Sequence, residues 1–299
     1  LEVDPKNVEA RLLLANALAG LKDLDAAIAQ VEEAKGLETS STLVYENLGL
    51  FQASKGDAAA AESTFRQAIA AHPDSVSAHL SLANLLWSTG RMPEAEQELK
   101  EVIRLDPKSV VAPKALATLY ISSRRFDEAE PLLKATADLS KATGERLVLA
   151  DFYVLRGRMD QGRAELESIA GTKEGFAPAT LRLASLAFRT GKKDEGMKFV
   201  EAVLAQQPRN VDALVLKSKM LVALSRPDDA LAAARAAVEV DAASAPAQLA
   251  LGAALEETGA ADEALTAYKR VLVTKPADTT ALLKLGTLYL AKGDAAGAT

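Results

Sequence analysis

Cysteine is absent from the 299 residues, which excludes disulfides and thiolate metal sites and leaves the redox compartment open. The only two histidines, His72 and His79, cannot form a zinc set without further nitrogen or sulfur ligands. No apolar run approaches the ~20 residues that a bilayer span requires, so no membrane insertion is expected; a soluble chain of the cytoplasm, the periplasm or the cell envelope is. Charged residues make up 25% of the chain and the net charge is -6 with both signs interspersed, so the basic footprint of a nucleic-acid binder is missing. Also missing are a Walker-type phosphate loop, a His-Glu-x-x-His pair, a Gly-x-Ser-x-Gly elbow and a dinucleotide-binding glycine cluster. Carboxylates are scattered over helix surfaces, and the chain reads as non-enzymatic, with no cofactor and no metal. Aromatics are scarce, at 4% with a single tryptophan.

What the chain does contain is alanine, within a 49% hydrophobic composition, and alanine suits helices packed closely through small side chains. The stretch from Val76 to Ser109 shows the pattern. Leu82, Ala83 and Leu86 form one apolar face, and Ala95, Leu99 and Val102 another, both at helical spacing. Between them Gly90 suits a helix C-terminus and Pro93 the first turn of the next helix. Asp106-Pro107 then stops the second helix, with Ser109 available as a cap for the next. The unit is a helical hairpin.

The hairpin recurs along the whole chain. Units begin at Val8, Thr42, Val76 and Val110, each 34 residues after the last; Thr143 follows after 33, and Ala177, Val211, Ala245 and Thr279 after 34 each. Such a period predicts a solenoid. The domain expected is a single array over residues 1–299: a tail at 1–7, repeats at 8–41, 42–75, 76–109, 110–142, 143–176, 177–210, 211–244 and 245–278, and an incomplete ninth at 279–299. Leu1-Glu2-Val3-Asp4-Pro5-Lys6-Asn7 matches the end of the third unit, which implies a longer array upstream. One hairpin cannot fold alone, because ordering costs roughly 1.5 kcal/mol per residue against roughly 1.5–3 kcal/mol for each large apolar side chain buried. Stacking supplies the missing surface.

A helical hairpin of this length, with small and large residues at these offsets, resembles the tetratricopeptide repeat family. In the second unit the family's pattern falls on Tyr45, Leu48, Gly49, Gly56, Ala61, Phe65, Ala68 and Pro73, and in the eighth on Leu251, Gly252, Leu255, Gly259, Ala264, Tyr268, Val271 and Pro276. His79 takes the first aromatic slot of the third unit and reads as a packed substitute. The resemblance implies an all-α, right-handed superhelix of stacked hairpins whose first helices line a concave groove. It also implies a non-catalytic role in binding a protein or peptide.

By the same resemblance, one groove stripe runs along each first helix. Its positions here are Leu43, Glu46, Leu50 and Ala53, then Ser77, Leu80, Asn84 and Trp87, then Val111, Lys114, Thr118 and Ile121, then Gly144, Leu147, Asp151 and Val154, then Pro178, Leu181, Ser185 and Phe188. Trp87 and Phe188 lie off the packing slots and are candidate partner anchors. Asn16 and Asn84 stand where some members hold a bound peptide's backbone. The lysines of the chaperone-binding members are replaced by Leu12 and Leu80, so that clamp is absent. Lys217 takes a slot otherwise filled by buried leucine and is expected to run its stem along the core toward water.

The middle of the array departs from the pattern. Arg124 replaces the turn glycine, Pro131 falls in a second helix, and Gly162 and Gly196 occupy alanine slots at about 1 kcal/mol each in helix propensity. A softer or kinked stretch between residues 110 and 196 is expected. The functional expectation is a peptide- or helix-binding scaffold within a bacterial multiprotein assembly. The alternative is the substrate-recruiting arm of an enzyme, a glycosyltransferase or kinase, whose catalytic domain lies outside this segment. The ninth unit's Leu282, Leu285 and Tyr289, without a second helix, add the possibility of end-to-end self-association.

Overall fold

A computed structural model describes residues 4–38, 41–291 and 293; the matching opening at Leu1–Val3 and the end of the ninth unit beyond Gly293 lie outside the described residues. Among the described residues there are seventeen α-helices and no strand. The chain forms two compact units, Leu1–Glu145 and Arg146–Thr299, and their boundary falls in the repeat that follows the 33-residue interval.

In the first unit the hairpins are α1 (Val8–Gly20) with α2 (Leu24–Leu37), α3 (Thr42–Lys55) with α4 (Ala58–Ala71), α5 (Val76–Ser88) with α6 (Met92–Leu105), and α7 (Val111–Ser122) with α8 (Phe126–Ser140). Each second helix packs on the next first helix, α2 on α3, α4 on α5 and α6 on α7. Neighbouring first helices also touch, α1 with α3 and α3 with α5.

The second unit holds most of α9 (Thr143–Leu155), then α10 (Met159–Ala170), α11 (Phe176–Arg189), α12 (Lys193–Gln206), α13 (Val211–Ala223), α14 (Pro227–Val240), α15 (Ala245–Glu257), α16 (Ala261–Thr274) and α17 (Thr279–Ala291). The same stacking holds, with α11 against α13 and α13 against α15 along the first-helix face.

Local chemistry sets the helix limits. Asn7, Asp23, Asp57, Ser75, Asn210 and Ser244 each accept a hydrogen bond from the backbone N–H three residues on, satisfying donors that a helix start leaves orphaned. At each hairpin turn one residue is left-handed. Gly56, Gly90, Gly157, Gly191 and Gly259 fill this position in five hairpins and Lys22, Arg124 and Ser225 in three others. Ser109 does not cap α7 in the usual way: its hydroxyl accepts from Val111 N at 3.3 Å, and the helix starts one residue later than the spacing predicts.

The core of each hairpin pairs a small residue with a large one. An added Cβ at Gly252 would stand 2.5 Å from the Tyr268 ring, and one at Gly49 would overlap Phe65 in the same way. Gly162 and Gly196 are not weak alanine slots. A Cβ at Gly196 would lie 2.9 Å from the Ala184 carbonyl oxygen, and one at Gly162 would lie 2.7 Å from Val154 Cγ2 and 3.2 Å from the Ala150 carbonyl oxygen. The helices cross there at glycine distance, and the propensity cost is the condition of that approach. Helix α8 runs through Pro131, although the proline nitrogen cannot donate to the preceding turn.

Candidate functional site

The first-helix faces carry the residues expected to meet a partner. In the first unit Leu43 (56% exposed) and Leu50 (50%) on α3 are open to solvent, as are Asn16 on α1, Asn84 on α5, and Lys114 and Thr118 on α7. Leu80, Trp87, Glu46 and Ile121 are half-buried. The amides of Asn16 and Asn84 and the indole N–H of Trp87 make no hydrogen bond within the described chain. These groups are available to a ligand.

The polar members of the stripe do a second job. Ser77 donates to Glu46 across α3 and α5, Lys114 lies 3.3 Å from Glu145, and in the second unit Arg182 donates to Asp151 at 3.0 Å across α9 and α11. Each pair is 31 residues apart, so the bonds join successive first helices. The Thr118 and Ser185 hydroxyls donate at 2.8 and 3.0 Å to the carbonyls of Lys114 and Leu181, one turn back on their own helices. Leu147, counted on the same stripe, is buried, because it packs with Leu166, Ile169 and Leu183 between α9, α10 and α11. Leu181 and Phe188 are half-buried against the same core that holds Ala184, Val200 and Val203. Phe188 is thus partly consumed by packing, with Lys193 Nζ 6.0 Å from its ring centroid.

His79 is buried. Its Nδ1 lies 2.5 Å from the Glu98 carboxylate and its Nε2 3.1 Å from the Pro73 carbonyl, so it ties α5 both to its own second helix and to the preceding turn.

A concavity on a first-helix face lies in the second unit, among residues that the stripe, followed only through the sixth repeat, did not reach. A cavity of about 320 Å³ opens between α13, α15 and α17, lined by Ser218, Lys219, Val222, Leu249, Ala250, Ala253, Tyr268, Thr280 and Lys284. Continuing the same helical stripe into the seventh to ninth repeats reaches Lys219, Val222, Leu249, Ala253 and Thr280, which is the signal that could have found it. Alanine at 250 and 253 keeps the floor low, and Gly252 lets Tyr268 slide beneath α15.

The electrostatics of this cavity are uneven. The Tyr268 hydroxyl donates to Glu256; burial, then that bond, push its phenol above the usual tyrosine range. The other oxygen of Glu256 takes Lys284 Nζ at 3.0 Å. Lys219 is exposed and makes no ion pair. Ser218 is fully buried and its hydroxyl has no partner, a state shared among the described residues only by the Gln248 carbonyl oxygen. An unsatisfied buried hydroxyl costs about 1–3 kcal/mol.

Lys217, one residue earlier, faces a separate cavity of about 320 Å³ between α12, α13 and α14, with Met197, Leu204, Leu214 and Ala233 as apolar walls. It is half-buried with no ion pair, while Arg226 and Asp229 at the same rim pair with each other at 2.6 Å. Among the described residues no cluster of three metal-ligating side chains exists, and no helix is long and apolar enough to cross a membrane.

Sequence models of the tetratricopeptide repeat match residues 1–40, 48–110, 181–245 and 215–279, and a second model of the same repeat matches residues 114–147. No curated protein matches the chain. Among solved structures, a tetratricopeptide repeat protein from Parabacteroides merdae is similar over 83% of this chain and 98% of its own, at 19% identity and a TM-score of 0.55. The structure of MamA is similar over 47% of this chain and 82% of its own, at 24% identity and a TM-score of 0.43. The repeat is in general a non-catalytic scaffold for protein interaction. With its stacked hairpins, left-handed turn residues and family matches over most of its length, this chain belongs to the tetratricopeptide repeat family.

Proposed function

We propose that the chain holds an extended peptide or a helix of a partner protein against its first-helix faces, as one section of a multiprotein bacterial assembly. The observation that carries this reading is the cavity between α13, α15 and α17, where an apolar floor meets a polar rim. Ligand sites have that make-up: apolar lining with a few placed polar groups. Half-buried Trp87, with exposed Leu43 and Leu50 on the neighbouring first helix, supports a second contact surface in the first unit, since tryptophan is among the residues that carry most of the energy at such interfaces.

The test is selection of peptides from a displayed random library on the full chain, repeated on two variants that circular dichroism shows to be folded. One is Leu249→Glu, which charges the floor of the second unit's cavity. The other is Leu50→Glu with Trp87→Glu. Peptides that bind the parent and are lost with either variant support the reading and name the face. Peptides retained equally by parent and both variants overturn it, since binding then uses another surface. Trp87 is the only tryptophan, so a shift of its emission on binding reports occupancy of the first unit.

A further inference from the structure

We propose that the cavity between α13, α15 and α17 selects an acidic segment, one aliphatic side chain flanked by carboxylates. This rests on the reading that the first-helix face binds peptides, and goes beyond it by fixing the chemistry of the occupant.

Three features of the cavity point to this ligand. The first is room. Val222, Leu249, Ala250, Ala253 and the Tyr268 ring make a largely hydrocarbon floor around about 320 Å³, roughly twice the ~150 Å³ of a dry cavity that admits benzene. One branched aliphatic side chain and part of its backbone fit.

The second is charge. The lining contains two cations, Lys219 and Lys284, and no carboxylate. Glu256, which bonds two of the lining residues, is occupied by Lys284 at 3.0 Å and by the Tyr268 hydroxyl. Lys219 stands without an ion pair. With Lys284 spent on Glu256, Lys219 leaves the rim one uncompensated positive charge in a chain of net charge -6. It repels a basic segment and attracts an acidic one, and complementary rim charge acts chiefly on selectivity and association rate.

The third is Ser218. Its hydroxyl has no partner and is closed to solvent, so a peptide carbonyl or carboxylate in the cavity supplies the missing acceptor once the side chain turns toward it. An apolar side chain alone would leave this donor unanswered.

The experiment uses fluorescein-labelled, end-blocked pentapeptides centred on Glu-Leu-Glu, Lys-Leu-Lys, Gln-Leu-Gln and Glu-Ser-Glu, titrated with the full chain by anisotropy. The expected order is Glu-Leu-Glu above Gln-Leu-Gln, with Lys-Leu-Lys and Glu-Ser-Glu weakest. The exposed substitution Lys219→Glu should weaken Glu-Leu-Glu roughly tenfold or more and reduce its salt dependence, with circular dichroism unchanged. Equal binding of Glu-Leu-Glu and Lys-Leu-Lys, or indifference to Lys219→Glu, overturns the acidic selection. So does a panel in which nothing binds. The peptide-binding reading fails separately, only when library-selected peptides ignore Leu249→Glu as well as the first-unit variant.

Discussion

Arg91 donates to the Glu62 carboxylate of the preceding hairpin at 2.5 Å, and one repeat later Arg125 meets Glu96 in the same relationship. Both arginines stand at the start of second helices, α6 and α8, where the first two hairpins have a capping aspartate. Each also donates to the acid three residues on, Glu94 or Glu128, at 2.6 Å. Helices α4, α6 and α8 are therefore clamped to one another by charge, and Arg125 in addition covers the Tyr120 ring at 4.3 Å.

This clamp makes the first unit sensitive to acid. Glu96 accepts from Arg125, Lys100 and Tyr120, and the Arg125 bond above all lowers its pKa from the usual 4.5 to about 2. A carboxyl more acidic when folded than when unfolded contributes its full stability above the unfolded pKa, and loses it as pH falls through the folded one. Glu96→Gln should therefore lower the thermal midpoint at pH 7, with the difference shrinking below pH 4.5 and mostly gone by about pH 2. Arg125 and Lys100 face water, and screening holds the difference to about 1 kcal/mol. Circular dichroism melts between pH 2 and 7 check this, and an equal fall in both proteins would show that Glu96 carries none of the acid response.

Arg124 invites a stabilising change. It has φ +59° at the turn where Gly56, Gly90 and Gly157 stand in other hairpins, and its exposed side chain makes no hydrogen bond or ion pair. A side chain in the left-handed region costs about 1–2 kcal/mol, of which glycine gives back part through its freer unfolded chain. Arg124→Gly should raise stability by about 0.5–1 kcal/mol in urea titration, and Gly56→Arg should lower it by a similar amount.

The repeat length, the hairpin, the turns and the all-α class were legible because each repeats with one phase, so that every unit tests the others. Single residues were harder. Glu46, Lys114 and Asp151 read as groove polarity from the helix face, but their partners Ser77, Glu145 and Arg182 lie 31 residues on, a spacing with meaning only once hairpins are stacked. Gly196 read as a weak alanine slot because propensity is local, whereas the Ala184 carbonyl that crowds it belongs to another helix. The stripe carried into the last repeats reaches the lining of the cavity over Tyr268, but the cavity's depth depends on how closely α13, α15 and α17 approach, and no pattern along one helix reports that distance.

Two glycines should answer alanine with opposite signs. At Gly36, in α2, an added Cβ meets nothing within 4 Å, so Gly36→Ala gains helix propensity, up to about 1 kcal/mol. At Gly196 the same gain is opposed by a backbone oxygen 2.9 Å from the new carbon, and backbone cannot swing aside as a side chain does. Overpacking costs about 1–3 kcal/mol, so Gly196→Ala should be net destabilising by about 1 kcal/mol. Equal stabilisation by both substitutions, in parallel urea titrations, would mean that α11 and α12 separate at little cost.

Lys217 gives the last prediction, because its slot holds leucine in the neighbouring repeats. Leu48, Leu82, Leu116 and Leu183 occupy the corresponding positions at 4% exposure or less, while Leu251 in the next repeat is half-buried, as is Lys217, which stands at the wall of a cavity of about 320 Å³ with no ion pair. The ammonium gains no partner from the fold, and its stem fills the slot less well than a branched chain would. Lys217→Leu removes one charge from a cavity that also holds Glu201, Arg226 and Asp229, and packs against Leu214, Leu221 and Ala233. Burying a leucine side chain is worth about 1.5–3 kcal/mol, less the stem burial that lysine already has, so a gain of about 1 kcal/mol is expected. Arg226 and Asp229 keep their own pairing at 2.6 Å. The urea midpoint should rise with the slope unchanged, the signature of added stability without a change in the unfolded chain. A lower midpoint would mean that hydration of the ammonium at the cavity mouth outweighs the apolar area gained, and that this hairpin is stabilised by its departure from the repeat.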